Sequence, residues 1–189
     1  MEKTFNLIIN GVGGQGVITL LAIIDQAAFF DGYQVRSSEL HGLSQRGGSV
    51  ETHVRFGKKV NSPLITNGQA NLVISLEMLE GLRETAKAGK QAKFLINEYA
   101  FPFQGSLPME EIKARLNSIP NEVHIVPGSA DCRQKLQKEI VSSVYLLGYA
   151  VAKKIIPISK ESVFKAINMM PEKHRGVNIN AFNLGYGNN

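Results

Sequence analysis

The chain has 189 residues, 43% apolar and 20% charged, a globular composition that excludes extended disorder and collagen-like repeats. At roughly 150 residues per domain the length supports one domain, 1–189. The net charge of +5 is unevenly placed: residues 1–129 hold twelve basic and twelve acidic side chains, and residues 130–189 hold nine and four.

The first residues, Met1 to Phe5, show no signal-peptide pattern. No stretch approaches the ~20 apolar residues of a membrane span, so a soluble cytoplasmic protein is expected. Phe5 to Ile9 is short, apolar and rich in β-branching, which predicts a buried strand ending at Gly11. From Gly16 to Phe30 the apolar residues recur at helical spacing. Ile18, Ile23, Phe29 and Phe30 fill much of the second side, so protein should cover this helix on most faces. Gly32 suits the left-handed position that ends it. Tyr33–Ser38 reads as a second strand and His41–Ser49 as a polar loop. Val50 to Phe56 alternates with period two, as a half-buried strand does. Gly57-Lys58-Lys59 predicts a hairpin into Val60 and hence some antiparallel pairing.

Further strands are predicted at 71–76, 93–97 and 122–126, with helices at 78–88 and 108–116. A long helix capped by Ser129 or Asp131 should run to about Ile155, followed by a short one at 160–169. The tail from His174 reads as mostly irregular. Strands alternating with helices imply a three-layer α/β domain. Its sheet should be mainly parallel, with a Rossmann-like first βαβ unit.

Two segments carry the chemistry. Gly11-Val12-Gly13-Gly14-Gln15-Gly16 joins the first strand to the first helix. Glycines there let a backbone approach a ligand, and the helix start offers free N–H groups to a phosphate or carboxylate. A tight turn that binds nothing is the alternative. The second segment, Glu39-Leu40-His41-Gly42-Leu43-Ser44-Gln45-Arg46-Gly47-Gly48-Ser49, gathers an acid, an imidazole, a carboxamide and a guanidinium. Arg46 can grip a carboxylate or phosphate through two N–H groups. His41 can titrate near neutrality. In a doubly wound sheet the two segments should be neighbours.

Candidate ligand-binding residues are therefore Gly11, Gly13, Gly14, Gln15, Gly16, Glu39, His41, Gln45, Arg46, Gly47 and Gly48, with His41 and Arg46 as catalytic candidates. Glu39 also keeps open a stand-alone NAD(P)- or FAD-dependent oxidoreductase. The basic last third permits an anionic partner, nucleic acid included, but no run of Lys and Arg exceeds two.

A third segment, Gly176 to Gly185, alternates asparagine with apolar residues; as a helix start, Asn180 would cap it and Phe182 would pack. His53, His124 and His174 lack metal-ligand spacing, and no metal site is expected. Cys132, the one cysteine, excludes an intrachain disulfide and a four-cysteine cluster from this chain alone. It begins a helix but has no evident base beside it. There is no P-loop and no G-x-S-x-G elbow.

The pairing of Gly11–Val17 with Glu39–Val50 resembles the gamma-type subunit of the 2-oxoacid:ferredoxin oxidoreductases. The form His41-Gly42-x-x-Gln45-Arg46-Gly47-Gly48-Ser49 is similar to the indolepyruvate branch of that family. Asn180-Ala181-Phe182-x-Leu184-Gly185 also fits, and the resemblance covers essentially the whole chain. It implies oxidative decarboxylation of a 2-oxoacid on thiamine diphosphate with Mg, electrons passing through iron–sulfur clusters to ferredoxin and the acyl group to coenzyme A. The thiamine and clusters are implied for a larger alpha subunit, the expected partner. This sequence has no Gly-Asp-Gly thiamine–magnesium motif, so the isolated chain should be inactive.

Overall fold

The computed structural model describes residues 3–41, 47–102 and 105–188. Six strands and seven α-helices are described: β1 (Phe5–Val12), α1 (Val17–Phe30), β2 (Gln34–His41), β3 (Ser49–Gly57), β4 (Ala70–Ser75), α2 (Met78–Arg83), β5 (Ala88–Asn97), α3 (Met109–Ser118), β6 (Glu122–Val126), α4 (Gly128–Leu136), α5 (Ser142–Ala152), α6 (Lys160–Asn168) and α7 (Glu172–Gly187). Six strands form one sheet in the order β2-β3-β1-β4-β5-β6. β1, β4, β5 and β6 pair in parallel, while β3 runs antiparallel between β2 and β1.

β1 reads as a continuous apolar run because it is covered on both faces. Leu7 and Ile9 face a core built with α1, α5, α6 and α7, and Ile8 faces a smaller core with α2 and α3. The chain leaves β1 toward one face and β4 toward the other. The C-terminal edge between these two strands is thus a switch point, where α/β sheets leave a crevice.

Several expectations need correction. The helix expected at 78–88 stops at Arg83, a 3-10 turn follows at Glu84–Ala86, and Ala88 already begins β5. Pro127, rather than Ser129 or Asp131, stands at the N-cap of α4. Gly57 is not followed by a hairpin; no strand occupies 58–69, and the antiparallel pairing comes from β3 lying between its neighbours. The long helix is two helices. Gln137 takes a left-handed conformation (φ 55) that ends α4, and the 3-10 turn Glu139–Val141 leads into α5. The polar stretch 133–139 stays largely in solvent while α5 is buried on nearly every side, and one straight helix cannot satisfy both.

The tail is also ordered: α7 starts after Pro171 rather than at Asn180, which lies exposed in mid-helix, although Phe182 is fully buried as expected. Finally, α1 keeps exposed apolar residues, with Ile18 at 42% and Phe29 at 66% exposure, so this chain leaves part of it uncovered. Among the described residues no helix is long and apolar enough to cross a membrane.

Candidate functional site

The glycine turn is held from inside. Gln15 Oε1 accepts the Val12 N–H at 2.7 Å, and Gln15 Nε2 donates to the Leu76 carbonyl at 3.2 Å. Gly11 leaves room for this clasp; a Cβ there would sit 2.8 Å from Gln15 Oε1. Gly14 and Gly16 adopt φ of +104 and +88, conformations costly for any other residue. Gly16 caps α1 without a side-chain hydrogen bond, so the first turn keeps its polar end open.

The two glycine-rich segments meet. The Gly13 N–H donates to the Gly48 carbonyl at 2.8 Å, and the Gly47 N–H to the Gly13 carbonyl at 3.4 Å. Sheet register explains the meeting: β2 ends and β3 begins at the same rim as β1, with Val12 opposite Ser49 and His41 opposite Val50. A cleft of about 510 Å³ opens beside the turn, lined by Gly13, Gly14, Gly16, Thr19, Glu39 and neighbouring apolar residues. Gly47 lines a separate hollow with Ser49 and Glu80. Gly42, Gln45 and Arg46 lie outside the described residues, as does the side chain of His41.

Glu39 adds its charge to a second carboxylate. Burial holds the Asp25 carboxyl above its usual range, the Ser37 hydroxyl lowers it, and Glu39 raises it further. Yet Glu39 is poorly placed for a dinucleotide ribose. β3 separates β2 from β1, so the acid lies two strand spacings, about 10 Å, from the strand bearing the turn. In a dinucleotide fold strand two lies directly beside strand one.

Sequence reasoning missed a buried polar layer under the rim. Asn10 donates to the Glu80 carbonyl at 2.7 Å and accepts from the Ser75 hydroxyl. Asn97 donates to the Leu76 carbonyl at 3.1 Å and to Ser129 Oγ at 2.8 Å. Glu77, 1% exposed, accepts from the N–H groups of Glu80 and Phe101 at 2.8 and 3.1 Å. Burial raises its pKa, and those donors lower it. The available signal was an asparagine closing each of two apolar runs, Ile8-Ile9-Asn10 and Leu95-Ile96-Asn97.

Cys132 is fully buried, and burial, with the charges of Asp131 and Glu139, pushes its thiol up to about 12. The native chain should therefore resist iodoacetamide at pH 8 for hours and react within minutes in denaturant; mass spectrometry checks this, and rapid native alkylation would contradict it. Among the described residues no cluster of three or more His, Cys, Asp or Glu could hold a metal.

The pyruvate ferredoxin/flavodoxin oxidoreductase family model matches residues 6–187. The indolepyruvate oxidoreductase subunit IorB of Pyrococcus horikoshii is 34% identical, over 97% of this chain and 95% of its own. The keto/oxoacid ferredoxin oxidoreductase gamma subunit of Geobacter sulfurreducens superposes with a TM-score of 0.72 at 22% identity, over 97% of this chain and 96% of that one. The 2-oxoglutarate:ferredoxin oxidoreductase of Magnetococcus marinus, solved with 2-oxoglutarate, coenzyme A and succinyl-CoA bound, gives 0.74 at 16% identity, over 99% of this chain and 31% of that one. The fold is common to these structures, and the sequence match runs almost from end to end; the chain belongs to the pyruvate ferredoxin/flavodoxin oxidoreductase family.

Proposed function

We propose that this chain is the non-thiamine subunit of a 2-oxoacid:ferredoxin oxidoreductase acting in the cytoplasm on indolepyruvate or a related aryl pyruvate. The observation that carries this reading is the direct bonding of the two glycine segments at one rim, beside an open cleft. The names of the Pyrococcus and Geobacter relatives support it from outside. The partner is a larger alpha subunit holding thiamine diphosphate, Mg and the iron–sulfur clusters, which pass electrons to ferredoxin; coenzyme A is a substrate of the complex. The residues present here do not fit an iron–sulfur centre, since the only cysteine is buried and its thiol strongly protonated. The role left to this chain is to complete the active-site region and grip an anionic group with backbone N–H groups and Arg46. A stand-alone dinucleotide enzyme is disfavoured by the insertion of β3 between β1 and β2.

Co-expression with the alpha subunit tests this directly. The expected product is a stable complex that reduces a low-potential acceptor when given indolepyruvate and coenzyme A. Arg46→Ala should lower that rate at least tenfold while the melting temperature of this chain stays within about 2 °C, because loss of one charge-assisted bidentate contact weakens ligand binding by ~1.5–3 kcal/mol. Full activity of alpha alone would end the proposal, and an unchanged rate would remove Arg46 from the site.

A further inference from the structure

The start of α2 ties three rim segments together. The Leu76 carbonyl, two residues before the helix, accepts from Gln15 of the glycine turn at 3.2 Å. Glu77 caps the helix by accepting the Glu80 N–H at 2.8 Å, and its other oxygen accepts the Phe101 N–H at 3.1 Å, which fastens the loop after β5. The Met78 N–H donates to the Tyr99 carbonyl of the same loop at 2.9 Å. Asn10 of β1 donates to the Glu80 carbonyl at 2.7 Å. Both backbone groups of Glu80 are thus engaged, one with Glu77 and one with the central strand, and its side chain starts from a fixed place.

That side chain is 2% exposed and reaches the second glycine segment. Oε2 accepts the Ser49 hydroxyl at 2.5 Å, and Arg83 donates to Oε1. Ser49 directly follows Gly47 and Gly48, whose backbone groups bond Gly13. The end of the segment is therefore gripped twice, by the main chain of the glycine turn and by α2. Stability alone does not call for an acid at this position. Taking a carboxylate out of water is costly, and Arg83, with its side chain 56% exposed, returns little as an ion-pair partner. Met78, Leu79 and Leu82 of the same helix pack on the smaller core, and an apolar residue at position 80 would be the cheaper occupant. What the acid adds is a fixed acceptor for Ser49.

We infer that Glu80 is a positioning residue for the 2-oxoacid reaction: through Ser49 it holds Gly47 and Gly48 against Gly13. Glu80 does not line the cleft beside the turn, so it acts through the segment and not on a ligand. The inference rests on the reading of this rim as the working region of the complex.

Hydrogen exchange of the full chain reads the positioning, and turnover of the complex with the alpha subunit reads its use. Ser49→Ala and Glu80→Met should each speed exchange of the Gly13 amide about tenfold or more, the loss of one hydrogen bond to a carboxylate. The amides of Val73 and Leu95 in the central strands should keep their rates. In the complex kcat/KM for indolepyruvate should fall about tenfold in each variant, while the melting temperature of Glu80→Met does not drop. The double variant should be no slower than either single one, because both remove the same bond. Ser49→Thr retains the hydroxyl and should exchange and turn over as the wild type does. Ser49 is exposed, so Ser49→Ala keeps the test decisive should Glu80→Met fail to fold. Wild-type exchange at Gly13 in the variants would overturn the inference, as would losses that multiply in the double variant. Faster exchange joined to wild-type turnover would instead remove the reaction from this rim, and the reading beneath the inference would fall with it.

Discussion

Gly185→Ala should be the most damaging single methyl group in this chain. A Cβ at Gly185 would sit 1.9 Å from the Tyr145 carbonyl oxygen, and one at Gly148 would sit 2.1 Å from the Phe182 carbonyl oxygen. The two contacts are reciprocal: each glycine of one helix meets backbone of the other, so α5 and α7 touch main chain to main chain. No side-chain rotation relieves such a clash, and the helices must separate. Overpacking of this kind costs about 3 kcal/mol or more, a fall of roughly 6–12 °C in melting temperature for a chain of this size. Gly176→Ala is the control within the same helix. Its Cβ meets nothing within 4 Å, so the ordinary helical gain of ~0.5–1 kcal/mol applies and the melting temperature should rise. Thermal unfolding of both variants decides the matter; equal melting temperatures would mean that the close crossing does not exist.

The same glycines show where sequence reasoning stops. Gly176, Gly185 and Gly187 made the tail look irregular, because glycine disfavours a helix when only local propensity is counted. Gly185 is tolerated because a neighbouring backbone occupies the space a side chain would need. That information lies at Tyr145 in α5, 40 residues earlier in the chain. The split of the long helix was hidden for a similar reason. A left-handed Gln137 has no compositional mark, and the break follows from the burial of α5 rather than from residues 137–139 themselves.

Strands with strong period or strong apolar character were legible, as was the glycine turn, since both depend on neighbours in sequence. The joining of residues 47–48 to Gly13 was legible as a consequence of sheet topology. The clasp of Gln15 and the Asn10 and Asn97 layer were not, because each needs a register between distant strands before its partners are known.

Gly14→Ala separates the architecture of the turn from its use. Gly14 has φ +104, yet a Cβ there meets nothing within 4 Å, so the added methyl strains the backbone but displaces no protein atom. The strain should cost about 1–2 kcal/mol, a few degrees in melting temperature, and the variant should fold and join its partner subunit. Gly14 lines the cleft beside the turn, so the same methyl narrows the space a ligand would share with it. A bound group pushed back by an ångström or more from its reactive position loses about 10- to 100-fold in rate. The kcat/KM of the assembled complex for indolepyruvate should fall by that factor, with the complex still eluting at its native size. Gly16→Ala is the contrasting case. Its Cβ would lie 3.1 Å from Ser143 Oγ and 3.4 Å from the Ile140 carbonyl oxygen, so it should lose stability first and activity as a consequence. A Gly14→Ala complex with wild-type turnover would show that no ligand approaches this backbone, and the conformation of the turn would then serve only the joining of β1 to α1.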